Sequence, residues 1–188
     1  MNKKSGIFLL MALVFFAVLP FVDADSPILW VGQFSQSNLD QWESKVFEGQ
    51  TQYSIAEIEG KKVLKAVSTN SASGLIKKIR VDLKQYPYLN WSWRIENQID
   101  GSFDETIKSG DDYAARIYVV VSGGFAFWNT RAVNYVWARH ASKGKVWPNA
   151  FAGDAAMLMA LQSSETPLSN WVTEKRNVRQ DLKQLFGK

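Results

Sequence analysis

The sequence predicts an all-β domain, an antiparallel sandwich or jelly roll finished by a short C-terminal helix. Three observations point there. Apolar residues recur with period two through most of the chain, which is how half-buried strands read. Clusters of Gly, Asn and Ser separate these short runs. The alternating helices that a doubly wound parallel sheet requires are missing.

The elements follow in order. Ile28, Leu29, Trp30 and Val31 open the domain as a short apolar strand, and residues 33–43 are polar and turn-rich. Residues 53–58 and 62–67 read as two strands joined by a turn at Glu59, Gly60 and Lys61. The polar run 69–74 is a turn, and residues 75–81 form the next strand. The residue before a proline avoids the α region, so Tyr86-Pro87 sets an extended entry. Leu89, Trp91, Trp93 and Ile95 then alternate with Asn90, Ser92, Arg94 and Glu96, a strand with one buried face. Residues 97–112 form a long polar loop. Residues 113–121 and 132–139 are strands, with a turn at Ser122, Gly123 and Gly124 and a brief continuation at 125–128. Residues 155–161 suit either state: Ala and Met favour helix, the surroundings favour strand. Thr173 is positioned to cap a last helix, in which Val178, Leu182, Leu185 and Phe186 share a face and Gly187 supplies the stop.

The N-terminus speaks to compartment. Lys3 and Lys4 precede the uncharged apolar run Gly6 to Val22, Pro20 breaks it, and Val22-Asp23-Ala24 offers a cleavage site after Ala24. This is the layout of a secretory signal peptide over residues 1–24. It is shorter than the roughly 20 apolar residues of a spanning helix. The expectation is a periplasmic domain over residues 25–188, in contact with a membrane only before cleavage. Without Lys3, Lys4 and Asp23, the 22 basic and 18 acidic residues become 20 and 17, a net charge of +3. That mild excess argues against nucleic acid, which needs a clustered basic face. The chain has no cysteine, so packing rather than disulfides stabilises it and no thiol chemistry is available.

Catalytic patterns are sparse. His140 is the single histidine and has no second histidine for a zinc site. No nucleophile elbow, phosphate loop or dinucleotide fingerprint occurs. Carboxylates gather in the loop at Glu96, Asp100, Asp104, Glu105, Asp111 and Asp112. Two of them could serve as acid and base on a glycosidic bond. Asp104, Asp111 and Asp112 are candidate calcium ligands, though the spacing matches no calcium loop. The plainer reading is a solvated acidic loop, and no cofactor is expected.

The eight tryptophans are the compositional outlier. Most suit a sandwich core; some suit a platform on which sugar rings stack. Arg94 and Arg116 interrupt strand patterns, and arginine is seldom buried without a partner. Placed on one concave face with Asn90, Tyr118, Tyr135 and Trp137, they would recognise glycan hydroxyls or carboxylates.

The run from Tyr86 to Arg94, YPYLNWSWR, resembles domain-of-unknown-function family 3047, as does the run from Gly110 to Val119, GDDYAARIYV. The segments KVWPNAF, ending at Phe151, and EKRNV, ending at Val178, fit it too. The resemblance implies a Gram-negative envelope protein with a jelly-roll-like β-sandwich and implies no activity. It also implies further strands beyond the last helix, so a chain stopping at Lys188 would lack them.

The leading expectation is a non-catalytic periplasmic domain binding a glycan or related envelope polymer. A polysaccharide hydrolase or lyase using the loop 96–112 is the second, and a protein-interaction scaffold the third.

Overall fold

The computed structural model describes residues 28–187. The expected signal peptide, residues 1–24, lies outside them. The fold is mostly β, with antiparallel pairing dominant and one short C-terminal helix. Among the described residues ten strands form four sheets. Strands β1 (Glu43–Glu48) and β4 (Ala72–Ile76) make one pair, and β2 (Gln52–Ile58) and β3 (Lys61–Val67) make a hairpin. Strand β5 (Tyr88–Trp93) pairs with β10 (Val172–Asn177). The central sheet holds β6 (Ala115–Val121), β7 (Arg131–Trp137), β9 (Gly153–Gln162) and β8 (Val146–Asn149), in that order across it. Helix α1 (Val178–Phe186) closes the chain.

One pairing departs from the antiparallel expectation. Strand β9 lies parallel to β7 and antiparallel to β8, because the chain runs out to the sheet edge as β8 and returns between the two. Both inner strands are consequently paired along both edges. β7 is buried at every position from Ala132 to Trp137, and Val133, Tyr135, Val136 and Trp137 are fully enclosed.

The two faces have different contents. On one, Val133, Tyr135 and Trp137 of β7 meet Met159 and Leu161 of β9 and Trp93 of β5, with Trp91, Val172 and Leu185 packed around them. The rings interlock: Trp91 and Trp93 meet edge to face at 5.5 Å, and Trp93 lies 5.6 Å from Trp137. The indole N–H groups of Trp91, Trp93 and Trp137 find no protein acceptor. Each unmatched donor costs about 1–3 kcal/mol. An enclosed indole buries 150–250 Å² and recovers about 4–6 kcal/mol at about 25 cal/mol per Å², so packing wins. On the other face Val136, Leu158, Ala160 and Trp147 form a second cluster beneath Tyr113.

The ends of several elements differ from the sequence pattern. Residues 28–30 form no strand, and residues 127–129 form a 3-10 turn in place of a strand continuation. The fourth strand starts at Ala72, inside the expected turn, and ends at Ile76 rather than reaching residue 81. The ambiguous segment is β9. Thr173 lies within β10, where its hydroxyl hydrogen-bonds Ser92 Oγ at 2.8 Å; the helix is capped by Asn177, whose Oδ1 accepts from Gln180 N at 3.0 Å. Gly187, at φ 70°, ends it as expected. Among the described residues no helix is long and apolar enough to cross a membrane.

Candidate functional site

A concavity lies among the N-terminal strands, where the sequence offered no motif. It is an open groove of about 560 Å³. Its apolar surface comes from Leu39, Trp42, Tyr53 and Leu75, and its polar surface from Ser44, Gln50, Thr51 and Gln52.

Each wall has a local cause. Trp42 is delivered by a four-residue turn in which its N–H donates to Leu39 O at 3.1 Å. Asn38 Oδ1 accepts from Asp40 N at 2.7 Å, and Gln41 is held at φ 67°. A side chain in the left-handed region costs about 1 kcal/mol or more, so the remaining turn contacts must hold it there. Phe34 backs the Trp42 ring at 5.5 Å. The opposite wall begins at Gly49, at φ 60°, where a Cβ would stand 2.9 Å from Ser71 Cβ. Only glycine permits that turn, and it brings Gln50, Thr51 and Gln52 back against β4. Ser73 fastens this wall: its Oγ accepts from Thr51 N at 2.9 Å, and its carbonyl accepts the Tyr53 hydroxyl at 2.8 Å. Burial raises the Tyr53 phenol above its ordinary value, opposed by the contacts to Ser73 and Thr51, so it stays a neutral donor.

Amide and hydroxyl groups beside a half-buried indole are the chemistry that polyhydroxylated rings require. The hydroxyls find donors and acceptors, and the C–H faces find an aromatic surface. The groove lining contains no ionised side chain.

The residues singled out by sequence do not share a face. Arg116 and Tyr118 do come together on the outer face of β6. The Arg116 guanidinium donates to Tyr118 Oη and to Asp111 Oδ1, both at 2.5 Å, and stacks 4.3 Å from the Tyr113 ring. Burial works against its charge, but Tyr118 and Asp111 outweigh that and raise its pKa. Arg94 lies elsewhere, just beyond β5. It bridges Glu59 at 3.0 Å and Glu96 at 2.8 Å and covers Trp171. Asn90 is exposed on the outer face of the β5–β10 pair. Tyr135 and Trp137 are fully buried, because their positions in β7 face the aromatic core. The opposite side of β7, with Asn134 and Val136, is buried as well, under the second cluster, so neither side of this strand is left for a ligand.

The acidic loop is held by its own protein. Asp104 accepts from Thr106 N and Oγ1 at 2.8 and 2.6 Å, Asp111 holds Arg116, and Asp112 Oδ1 accepts from Tyr113 N at 3.0 Å. Among the described residues no three His, Asp or Glu side chains converge on a metal position. Glu105, only 3% exposed, accepts the backbone N–H groups of Arg139 at 2.6 Å, His140 at 3.2 Å and Ala141 at 2.8 Å. Its carboxylate thereby ties the loop to the end of β7. His140 meets Phe103 edge to face at 5.0 Å.

The groove was missed because its strands are short of apolar residues. β1 is exposed along its whole length, and the available signal was Trp42 inside a polar, turn-forming segment.

The chain matches, over residues 40–188, the family described as protein of unknown function (DUF3047), and belongs to it. No curated protein and no solved structure matches the chain.

Proposed function

We propose that this family member is a non-catalytic domain that binds a glycan or related envelope polymer after export to the periplasm. The observation that carries the reading is the groove in which Trp42 and Tyr53 stand beside Ser44, Gln50, Thr51 and Gln52. The packing of the β5–β10 pair over the central sheet supports a jelly-roll-like sandwich as the scaffold. The signal-like N-terminus supports export, and a mature mass beginning at Asp25 is its check.

A glycan-array screen of the purified protein tests the binding reading. Carbohydrate should be retained by the wild type and lost in Trp42→Ala, with the far-ultraviolet dichroism unchanged. Binding that survives Trp42→Ala would remove the groove from consideration. The hydrolase reading has less support, because Asp104, Glu105 and Asp111 already hold protein groups.

A further inference from the structure

We propose that one end of the central sheet docks on the surface of a phospholipid bilayer carrying anionic headgroups, with Phe125, Trp128 and Phe151 entering its interface. This is a contact of the folded domain, distinct from the one expected of the N-terminus before cleavage. The strand register sets the geometry. β7 follows the β6–β7 turn and β9 follows the β8–β9 turn, and the two strands are parallel neighbours with Ala132 opposite Ala156. The two turns therefore sit side by side at the same end of the sheet.

Each turn presents aromatic surface to water. Phe125 is fully exposed, Trp128 is 66% exposed and Phe151 67%. Val120 and Val121, the last residues of β6, add exposed aliphatic surface. Residues 117–130 carry no charged side chain, so nothing dilutes this apolar tip. Single apolar side chains scattered over a surface need no explanation, but a cluster on two adjoining turns marks a contact surface.

Lipid suits the cluster for three reasons. Two turns at one sheet end meet a plane together, and tryptophan and phenylalanine are the side chains that interfacial segments use. Backbone that enters such a layer must have its polar groups satisfied within the protein. In the first turn Gly123 N donates to Thr130 Oγ1 at 3.2 Å, Ala126 N to Gly123 O at 3.1 Å and Asn129 N to Ala126 O at 2.8 Å. Arg131 donates to Trp128 O at 3.0 Å and to Thr130 O at 2.8 Å. In the second turn Asn149 Oδ1 accepts from Phe151 N at 3.0 Å and from Ala152 N at 2.9 Å. The third reason is charge. Lys108 Nζ lies 5.5 Å from the centre of the Phe151 ring, and neither Lys108 nor Arg131 makes an ion pair among the described residues. Residues 113–153 contain no acid, and Asp154, at the start of β9, offsets one of the two cations; the three together carry +1. Charge therefore adds to the contact, and the rings make it.

The chain has no cysteine, so one introduced cysteine can carry an environment-sensitive fluorophore. Phe125→Cys, Phe151→Cys and, as a control on another sheet, Phe47→Cys are labelled in the purified full chain and titrated with vesicles of phosphatidylethanolamine and phosphatidylglycerol. Phe47 is as exposed as the other two turns' rings, at 69%. Emission from positions 125 and 151 should brighten and move to the blue, and emission from position 47 should not. An apolar N-terminal segment, if still attached, brings all three labels to the vesicle alike and leaves this contrast intact. Vesicles of phosphatidylcholine alone should need about fivefold more lipid, the factor that one net cation is worth at an anionic surface. Phe125→Ser should raise the lipid needed for entry of the label at position 151 about tenfold, through the apolar area it removes, with no change in urea midpoint. Equal shifts at all three positions, or none at 125 and 151, overturn the proposal. A shift at 125 or 151 that grows with protein concentration in the absence of vesicles assigns this end to a second copy of the chain and overturns it too. Equal titrations with the two kinds of vesicle overturn the anionic assignment.

Discussion

The Tyr135 hydroxyl donates to Asp181 Oδ2 across 2.7 Å, joining the middle of the central sheet to the C-terminal helix. Arg176 completes the arrangement from β10, donating through Nε at 3.0 Å and through a second nitrogen at 2.5 Å to the two oxygens of the same carboxylate. Tyr135 is fully buried and Asp181 is 3% exposed, so β7 is tied to the consecutive elements β10 and α1 through one largely buried ion pair. Arg176 keeps partial access to water, with 29% of its side chain exposed.

Asp181→Ala should therefore be among the most damaging single changes. It leaves a phenol and a guanidinium without their acceptor. Removing one member of a fully buried pair costs about 3–5 kcal/mol, and the partial exposure of Arg176 reduces this to about 2–3 kcal/mol. Tyr135→Phe, which removes one hydrogen bond and leaves the ion pair, should cost about 1–2 kcal/mol. Urea denaturation of the two variants measures both. Equal losses would mean that the helix is held by its apolar face alone.

Stability should fall at both ends of the pH scale. Burial is the main cause that raises Tyr53, Tyr113 and Tyr135 above the ordinary tyrosine value of 10.0. The folded protein thus keeps phenolic protons that the unfolded chain releases. Their contribution is whole below about pH 10 and is lost as pH rises from there through the folded values. Glu96 and Asp104 shift the other way: the Ser169 hydroxyl is the main cause that lowers Glu96, and Thr106 the main cause that lowers Asp104. Their contribution is present above the unfolded carboxylate values, near 4.5 and 3.8, and is lost as pH falls through the lower folded ones. Thermal midpoints measured from pH 3 to pH 11.5 should trace a plateau with both shoulders. Phenolate absorbance should rise together with unfolding at the alkaline one.

Glu105 offers a separate test of the acidic loop. Glu105→Leu would bury three backbone donors without an acceptor, at a cost of about 3 kcal/mol or more. Glu105→Gln retains one acceptor oxygen and should cost about half as much. Urea midpoints give the ranking, and hydrogen exchange at Arg139, His140 and Ala141 should quicken in both. A neutral outcome for Glu105→Leu would mean that the loop's attachment does not depend on this carboxylate.

Legibility in the sequence followed burial. β5, β6 and β7 were readable because alternating side chains face a core on at least one side, and Trp91 and Trp93 fall on one face as their spacing requires. α1 was readable from the spacing of Val178, Leu182 and Leu185 and from Gly187, although Asn177, not Thr173, caps it. β1 was not readable, since Glu43, Lys45 and Glu48 leave no apolar alternation. The common face expected for Arg94 and Arg116 failed for a topological reason. Arg94 lies just beyond β5 and Arg116 within β6, in different sheets, and packing between sheets leaves no trace in local spacing. The groove stayed hidden for a related reason: Trp42, Gln50 and Tyr53 are brought together by a glycine turn and by Ser73, which carry no apolar pattern.

Gly49→Ala tests that construction most directly. At φ 60° an alanine loses about 1–2 kcal/mol through its own backbone. The new methyl would also stand 2.9 Å from Ser71 Cβ, a distance carbon atoms do not tolerate, so the turn between β1 and β2 must move. Movement there carries Gln50 and Thr51 with it, because both follow the turn immediately. The Thr51 N–H should then lose its bond to Ser73 Oγ, and its hydrogen exchange should quicken well beyond that of buried amides in β7. The central sheet makes no use of this turn, so exchange at Val133, Tyr135 and Val136 should change only through the global loss of stability. Groove affinity should drop in the same variant. Ser73→Ala, which removes the acceptor and leaves the turn in place, should show the faster Thr51 exchange with a smaller loss of stability. If Gly49→Ala slowed no binding step and left Thr51 protected, the groove wall would be set by β2 and β3 alone, and Ser73 would be a bystander.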